Sequence, residues 1–321
     1  MKTLVLGGCG FIGRHVVKAL TAHKIPVVVL DVHADPLCSS AHCTYVPGDF
    51  SDTEKLEAVM LGFGITHVVH LVSTTLPKTS NEDKAYDIQS NVIQTLRLLD
   101  LCVKHKVQRL LFMSSGGTVY GAPQQVPVTE DHPNHPQCSY GISKLAIEKY
   151  LFLYQHLHGL NYVVLRAANP YGPGQNPLSG QGVVANFIHK MHSGQRLEVW
   201  GDGETVRDYF HVGDLADLTR RALLSSTVGV FNAGSGVGLS LNGLIHVLRQ
   251  TLDVPADVVY QAARGLDVPA IVLDSSAALR TFGWRVSTPL SSGIQEYEAW
   301  YLSQYVRRTP QPCSDLMISA H

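Results

Sequence analysis

The spacing of apolar residues changes period repeatedly along the first half of the chain. Lys2 to Leu6 is a short apolar run of the kind buried on both faces of a parallel sheet. Gly7 to Gly13 reads as a turn, His15 to Leu20 has helical spacing, and Val27-Val28-Val29-Leu30-Asp31 is a β-branched strand ending in a carboxylate. Further strands are predicted at Thr44 to Pro47, His67 to Leu71, Arg109 to Ser114 and Asn161 to Arg166. Helices lie between them, notably Asp83 to Lys104 and Ser139 to His156. Strands alternating with helices predict an α/β protein built on a doubly wound parallel sheet.

After Arg166 the pattern breaks. Asn169-Pro170-Tyr171-Gly172-Pro173-Gly174-Gln175-Asn176-Pro177 is dense in turn formers and reads as irregular throughout. Residues 1–166 are therefore expected to form a first domain, and residues 167–308 mainly a smaller C-terminal α/β lobe. Around 205–235 the chain is expected to return to the first domain, because Phe210 to Ser225 and Phe231 to Gly234 again look like helix and strand. Residues 309–321 carry two prolines and no periodicity, and read as a loose tail.

Composition narrows the possible partners. The 321 residues include 25 basic and 26 acidic ones, a net charge of −1, so no electrostatic footprint for nucleic acid or an anionic membrane is present. Hydrophobic residues make up 45%, enough for a sizeable core, and only 16% are charged. No apolar run reaches the ~18 to 20 residues that span a bilayer. Glycines, Arg14 and His15 interrupt the apolar start, so no signal peptide is expected there. Six cysteines in a chain this long make no disulfide framework. Cys38, His42 and Cys43, with His33 nearby, match no zinc spacing and read as ordinary side chains. A cytoplasmic, metal-free enzyme is the expectation.

Gly7-Gly8-Cys9-Gly10-Phe11-Ile12-Gly13 places glycines between a strand and a helix. A tight turn needs positive φ, a pyrophosphate must approach bare backbone, and strand and helix must pack closely. The helix N-terminus then offers unpaired N–H groups to the phosphates. With Asp31 ending the next strand, the pattern is a dinucleotide fingerprint, and the sheet is expected to be of the Rossmann type. A carboxylate at Asp31 bonds a free ribose hydroxyl and repels a 2′-phosphate, which favours NAD over NADP. Asp49 and Phe50, after the third strand, are placed at the adenine edge. Ser139-Tyr140-Gly141-Ile142-Ser143-Lys144 opens a helix, and Tyr140 and Lys144, four apart, share one face. An ammonium group beside a phenol favours the phenolate and makes Tyr140 a base.

On these motifs the chain resembles the extended short-chain dehydrogenase/reductase superfamily, in its sugar-nucleotide epimerase and dehydratase branch. The resemblance runs from Gly7 to about Trp284. It includes Ser-Ser-Gly-Gly-Thr-Val-Tyr-Gly (114–121), Asn169-Pro-Tyr-Gly-Pro-Gly and Arg207-Asp-Tyr-Phe-His-Val. It implies an NAD-dependent isomerase that inverts C4 of a UDP-hexose such as UDP-glucose. Tyr140 takes the hydroxyl proton as hydride leaves C4 for the nicotinamide, the 4-keto sugar turns over, and hydride returns to its other face. By the same resemblance, Leu71, Asn91 and Ser114 join Gly7, Gly10, Phe11, Ile12, Gly13, Asp31, Tyr140 and Lys144 around NAD. Asn169, Arg207, Arg264 and Asp267 hold the nucleotide sugar. The helix from Asp83 and the Tyr140 helix form a homodimer seam in relatives.

The chain departs from the family pattern at Gly116, where members carry the Ser or Thr that bonds the reacting hydroxyl. If the strand persists, Thr118 and Ser114 share the face of Gly116, and Ser115 points away. Thr118 is then the expected hydroxyl, in both a catalytic and a substrate-binding role. Dehydratase relatives carry an acid just before Val-Tyr-Gly. Gly117 and Thr118 stand there and supply none, which favours epimerisation. Ile271 occupies a position that is bulky in UDP-hexose epimerases rejecting N-acetyl sugars and small in those accepting them, so that choice stays open. A UDP-uronate (glucuronate or galacturonate) 4-epimerase is the alternative. A dehydratase or a non-catalytic NAD-sensing regulator ranks below both.

Overall fold

The computed structural model of the protein describes residues 1–34, 41–263 and 268–306. In chain order its first half runs β1 (Thr3–Leu6), α1 (Phe11–Ala22), β2 (Val27–Asp31), β3 (Cys43–Pro47), α2 (Thr53–Phe63) and β4 (His67–His70). Next come α3 (Lys84–Asp87), a π-helical turn (Ile88–Ile93), α4 (Gln94–Lys104), β5 (Arg109–Ser115), α5 (Ser139–His158) and β6 (Asn161–Ala167). The second half runs β7 (Asn169–Tyr171), α6 (Val183–His192), β8 (Leu197–Trp200), β9 (Val206–His211), α7 (Val212–Leu224) and β10 (Gly229–Ala233). It closes with β11 (Gly238–Ser240), α8 (Leu241–Thr251), β12 (Val258–Gln261), β13 (Ala270–Ile271), α9 (Ser276–Phe282), α10 (Leu290–Tyr301) and a last π turn (Leu302–Val306).

Seven strands form one parallel sheet in the order β10-β6-β5-β4-β1-β2-β3. Successive side chains of a strand face opposite ways, so each buried strand feeds two cores. Val5, Val29, Val69, Leu111 and Val163 pack with Val16, Val17 and Leu20 of α1 and Leu215, Leu218 and Ala222 of α7. Leu4, Val28, Val68, Leu110 and Val164 pack with Leu56 and Met60 of α2, Leu98 and Cys102 of α4, and Ile147 and Leu151 of α5. That is the Rossmann-type doubly wound sheet that the alternating sequence implied. A third core, with Phe187, Ile188, Leu244, Leu248, Ile294 and Tyr297, belongs to the helices α6, α8 and α10 of the smaller lobe. Among the described residues no helix is long and apolar enough to cross a membrane.

Two stretches differ from their sequence reading. Asn169–Tyr171, the start of the segment read as wholly irregular, is a short strand pairing parallel to β9 in the register Asn169↔Tyr209. Pro170 is tolerated there because a peripheral strand can spare one N–H. The single helix expected from Asp83 to Lys104 is interrupted by the π turn. There Asn91 Nδ2 donates to the Asp87 carbonyl at 3.1 Å, and Thr95 Oγ1 donates to the Asn91 carbonyl at 2.7 Å. Polar side chains that reach back along a helix in this way accompany such bulges, which concentrate at functional sites.

A buried ion pair ties α5 to the sheet. Arg166 Nη2 lies 2.6 Å from Glu148 Oε2, and their side chains are 4% and 3% exposed. Arg166 Nε also donates to both Glu148 oxygens at 3.1 and 3.2 Å, and its guanidinium sits 4.8 Å over the Tyr120 ring. Burial disfavours the Arg166 charge, but Glu148 more than offsets it and raises the guanidinium above its ordinary range. Arg166→Met leaves Glu148 buried without its hydrogen-bonded cation and is expected to cost about 3–5 kcal/mol, read as a lower urea midpoint. Adding Glu148→Gln should recover part of that loss.

Candidate active site

The strand order reverses on either side of β1, between β2 and β4. Ligands of doubly wound sheets bind outside the carboxyl ends of the strands at such a switch point. A cleft of about 790 Å³ opens there. Phe11, Ile12 and Leu71 line one end, Ser115, Thr118, Tyr140 and Lys144 the middle, and Asn169 and Arg207 the side of the smaller lobe.

The glycine turn explains itself by contact. Gly7 has φ 77°, in the left-handed region. A Cβ on Gly13 would stand 2.1 Å from the Gly7 carbonyl oxygen and 2.7 Å from the Gly8 Cα, so α1 packs on the turn only without a side chain there. Gly10, the residue before α1, is exposed, and no side chain caps the helix. Its first-turn N–H groups are therefore left for a ligand. Asp31 accepts from the Cys9 N–H at 2.9 Å and the His33 N–H at 3.0 Å, which fixes its carboxylate beside the turn. A bare helix N-terminus next to an anchored carboxylate fits the pyrophosphate and ribose of NAD.

The other residues placed around the cofactor divide. Asp49 is exposed and bonds the Ser51 N–H at 2.7 Å, while Phe50 is buried with its ring 5.1 Å from that of His70. Ser114 borders the cleft, but its hydroxyl donates to Glu148 Oε1 at 2.5 Å and is not offered outward. Asn91 is buried with both ends of its amide engaged. Oδ1 accepts from the Thr74 N–H, and Nδ2 donates to Asp87 and Thr75. Its side chain serves the protein's own network, because the π turn rotates it inward.

Tyr140 and Lys144 lie on the first turns of α5, facing the cleft. Lys144 Nζ donates to the Met113 carbonyl at 3.1 Å and stands 4.8 Å over the Phe112 ring and 5.5 Å over the Tyr140 ring. Burial drives Lys144 down to about 8, against the attraction of Asp87 and Glu148. Burial pushes Tyr140 up to about 12, with Cys138 and Asp87 adding to the rise and a hydrogen bond from Ser73 opposing it. The lysine therefore does not by itself turn the phenol into a base, because its ammonium bonds a backbone carbonyl instead.

The hydroxyls around Gly116 lie on other faces than strand alternation predicts. β5 stops at Ser115, and residues 116–118 form a turn, so alternation ends before Gly116. Ser115 and Thr118 both line the cleft, and Ser115 does not point away. A Cβ on Gly116 would meet Leu273 Cδ1 at 2.4 Å and the Arg166 carbonyl at 3.1 Å, away from the cleft. Ile271 is buried beside Val119, Tyr120 and Leu273, not on the cleft, because β13 pairs with β9 there. Among the described residues Glu198 is the one carboxylate lining the cleft, and it pairs with Lys190 at 3.4 Å on the smaller lobe. No acid stands beside Tyr140 in that lining.

On the substrate side, Arg207 Nη1 donates to the Val206 and Val268 carbonyls at 2.8 Å each. Asn169 Nδ2 reaches the Asp208 carbonyl at 3.3 Å. Asp208, the residue after Arg207, is fully buried and accepts from the N–H groups of Ser235, Gly236 and Leu273. The Arg-Asp-Tyr-Phe-His-Val segment thus alternates a cleft residue with a structural staple. Arg264, Asp267 and Cys38 lie outside the described residues. Sequence reasoning missed Ser73, Thr75 and Asp87. The serines at 139 and 143 carried a signal for the last, as a second pair spaced four apart.

A doubly wound sheet with a phosphate cradle and a Tyr–Lys pair on one cleft defines a dinucleotide-dependent enzyme. The profile of the NAD dependent epimerase/dehydratase family matches residues 3–234. The chain belongs to that family, and NAD is its cofactor. A UDP-glucose 4-epimerase from Mycolicibacterium smegmatis is 33% identical over 302 residues, covering 92% of this chain and 96% of the relative. Among solved structures, the UDP-glucose 4-epimerase of Thermotoga maritima with UDP-glucose superposes with a TM-score of 0.90 at 33% identity, covering 94% of this chain and 99% of that one. That of Thermus thermophilus in complex with NAD gives 0.88 at 33% identity, covering 95% of this chain and 100% of the other. Asp31→Ala is expected to raise the Kd for NAD about tenfold and to affect NADP less, measured by titration calorimetry. Equal losses for both would mean that Asp31 acts only through the Cys9 turn.

Proposed function

We propose that the protein is a UDP-hexose 4-epimerase working through a transient 4-keto sugar. The observation that carries this reading is a Tyr–Lys pair beside a dinucleotide cradle, in a cleft whose lining, among the described residues, holds no acid near Tyr140. Elimination needs such an acid, whereas inversion through a ketone needs only one group to move a proton out and back. NAD, held by Gly7, Gly10, Phe11, Ile12, Gly13, Asp31 and Leu71, supplies the hydride acceptor and donor and a positive charge beside the phenol. Asp49, Phe50, Asn91 and Ser114 support that site from behind or at its rim.

The Tyr140 oxygen takes the proton of the sugar 4-hydroxyl and later returns it. The Lys144 ammonium stabilises the phenolate that this requires. Thr118 and Ser115 offer hydroxyls to the reacting oxygen. Arg207 and Asn169 lie where a diphosphate and sugar enter, and a guanidinium suits phosphate oxygens. Arg264 and Asp267 complete the nucleotide site in this reading. The uridine base is supported by the relatives, whose names carry UDP-glucose.

Purified protein incubated with UDP-glucose should yield UDP-galactose by chromatography. UDP-glucuronate and UDP-N-acetylglucosamine belong in the same assay. Turnover of the uronate alone would replace the hexose reading with the uronate one, and silence on all three would remove the enzyme reading. Tyr140→Phe is expected to lower kcat by about 10²–10⁴-fold with NAD still bound. Thr118→Val should lower it by about tenfold, and full activity there with loss in Ser115→Ala would transfer the role to Ser115.

We also propose a homodimer through α4 and α5. Tyr150, Leu153 and Leu157 are exposed at helical spacing on α5, and Tyr86 of α3 and Ile88 of the π turn before α4 are exposed as well. An apolar stripe of this kind on a surface helix marks an interface. Leu153→Glu should convert a dimer to a monomer by light scattering, and a monomeric parent protein would refute the proposal.

A further inference from the structure

Two buried carboxylates flank Lys144, and they are balanced differently. Glu148, one turn along the same helix, is forked by Arg166. Asp87 is fully buried, and among the described residues no arginine, lysine or histidine bonds it. Its partners are neutral donors: Thr75 Oγ1, Asn91 Nδ2 at 3.1 Å, Ser139 Oγ at 2.8 Å and Ser143 Oγ at 2.6 Å. A carboxylate buried this deeply is stable as an anion only with several donors and a nearby cation.

The geometry of the donors is specific. Ser139 and Ser143 each stand one residue before Tyr140 and Lys144. The pair that grips Asp87 and the pair that faces the cleft are therefore adjacent stripes on one helix. Thr75 comes from the loop after β4 that lines the cleft, and Asn91 from the π turn. One carboxylate thus joins the loop, the turn and the helix that carries the reacting groups.

We propose that Asp87 is the positioning residue of the Tyr140–Lys144 pair: its carboxylate anchors α5 through Ser139 and Ser143, and its charge, bonded by no cation among the described residues, keeps the buried Lys144 ammonium protonated. This rests on the reading of Tyr140 as the base and Lys144 as its partner. Lys144 is faced by Asp87 from α3, Glu148 from its own helix, His70 from β4, the Tyr140 ring, and the Met113 carbonyl from β5. The charge of Glu148 is shared with Arg166, and His70 is neutral, burial pushing it down to about 3. Asp87 and Cys138 also oppose ionisation of Tyr140, so the charge that holds the lysine proton holds the phenol proton too. Such a pair titrates as a unit.

The test is Asp87→Asn, an isosteric change that removes the charge. Lysine labelled with ¹³C at Cε, in the protein with its NAD, reports the Lys144 midpoint by NMR, with Lys144→Met to assign the signal. Removing the carboxylate should lower that midpoint by about one pH unit or more. It should also lower kcat about tenfold with KM within about twofold, and move the alkaline limb of the kcat profile to lower pH. An unmoved Lys144 midpoint overturns the proposal, because a purely structural carboxylate would leave it in place. If Asp87→Asn does not fold, Asp87→Ser, which also removes the charge, decides: a Lys144 midpoint lowered by about one pH unit or more supports the proposal, and an unmoved one overturns it. Retained turnover in Tyr140→Phe would sink the parent reading and leave the lysine midpoint as it was.

Discussion

Charge buried beneath α5 is the constraint around which the first domain is organised. The sheet is apolar on both faces, and a helix crossing it must put its inner stripe into a medium of low polarity. On α5 that stripe contains Ser139, Ser143, Lys144 and Glu148. Each has found a partner on a different element: Asp87 on α3, the Met113 carbonyl on β5, and Arg166 on β6. Because unpaired charge is so costly there, these partners fix the rotation and height of the helix more tightly than apolar contacts would. Tyr140, one turn before Lys144 on the same face, inherits that placement.

The cofactor side follows a different rule, since it is shaped by what is left out. Gly13 carries no side chain because Gly7 and Gly8 occupy the space, and Gly10 leaves the N-terminus of α1 bare. Close approach of backbone to backbone creates the cradle, and no polar side chain is needed to build it. The smaller lobe is attached by a third device. Asp208 gathers the N–H groups of Ser235, Gly236 and Leu273 into one carboxylate, and this sets the β9 edge from which Arg207 faces the cleft.

What was legible in the sequence is what depends on local period. Strands such as Val27–Asp31 and helices such as Ser139–His158 announce themselves by apolar spacing, and the cradle by its glycines. Tyr140 and Lys144 reach the same cleft because residues four apart share a helix face whatever surrounds them. The rest depended on events that period does not encode. Alternation along β5 carried no information past Ser115, where the strand turns, so the faces assigned to Ser115 and Gly116 were not those observed. Asn91 was turned inward by a π turn. Asp87 was invisible as a lone acid in a helix, although the serines that hold it sat beside the two residues that were read.

The resting state of Tyr140 gives these placements a consequence. The phenol is pushed up to about 12 by burial, and the lysine cation lies 5.5 Å over its ring with a hydrogen bond committed to Met113. In the reading of Tyr140 as the base, a further positive charge in the cleft would favour its phenolate. In an NAD-dependent family the oxidised cofactor carries that charge, and the reduced form lacks it. The buried Asp87 carboxylate works in the opposite sense by opposing loss of the tyrosine proton, so in the proposed reaction oxidised NAD would favour the phenolate more than the reduced form would. On that reading, proton removal and hydride removal would be linked electrostatically.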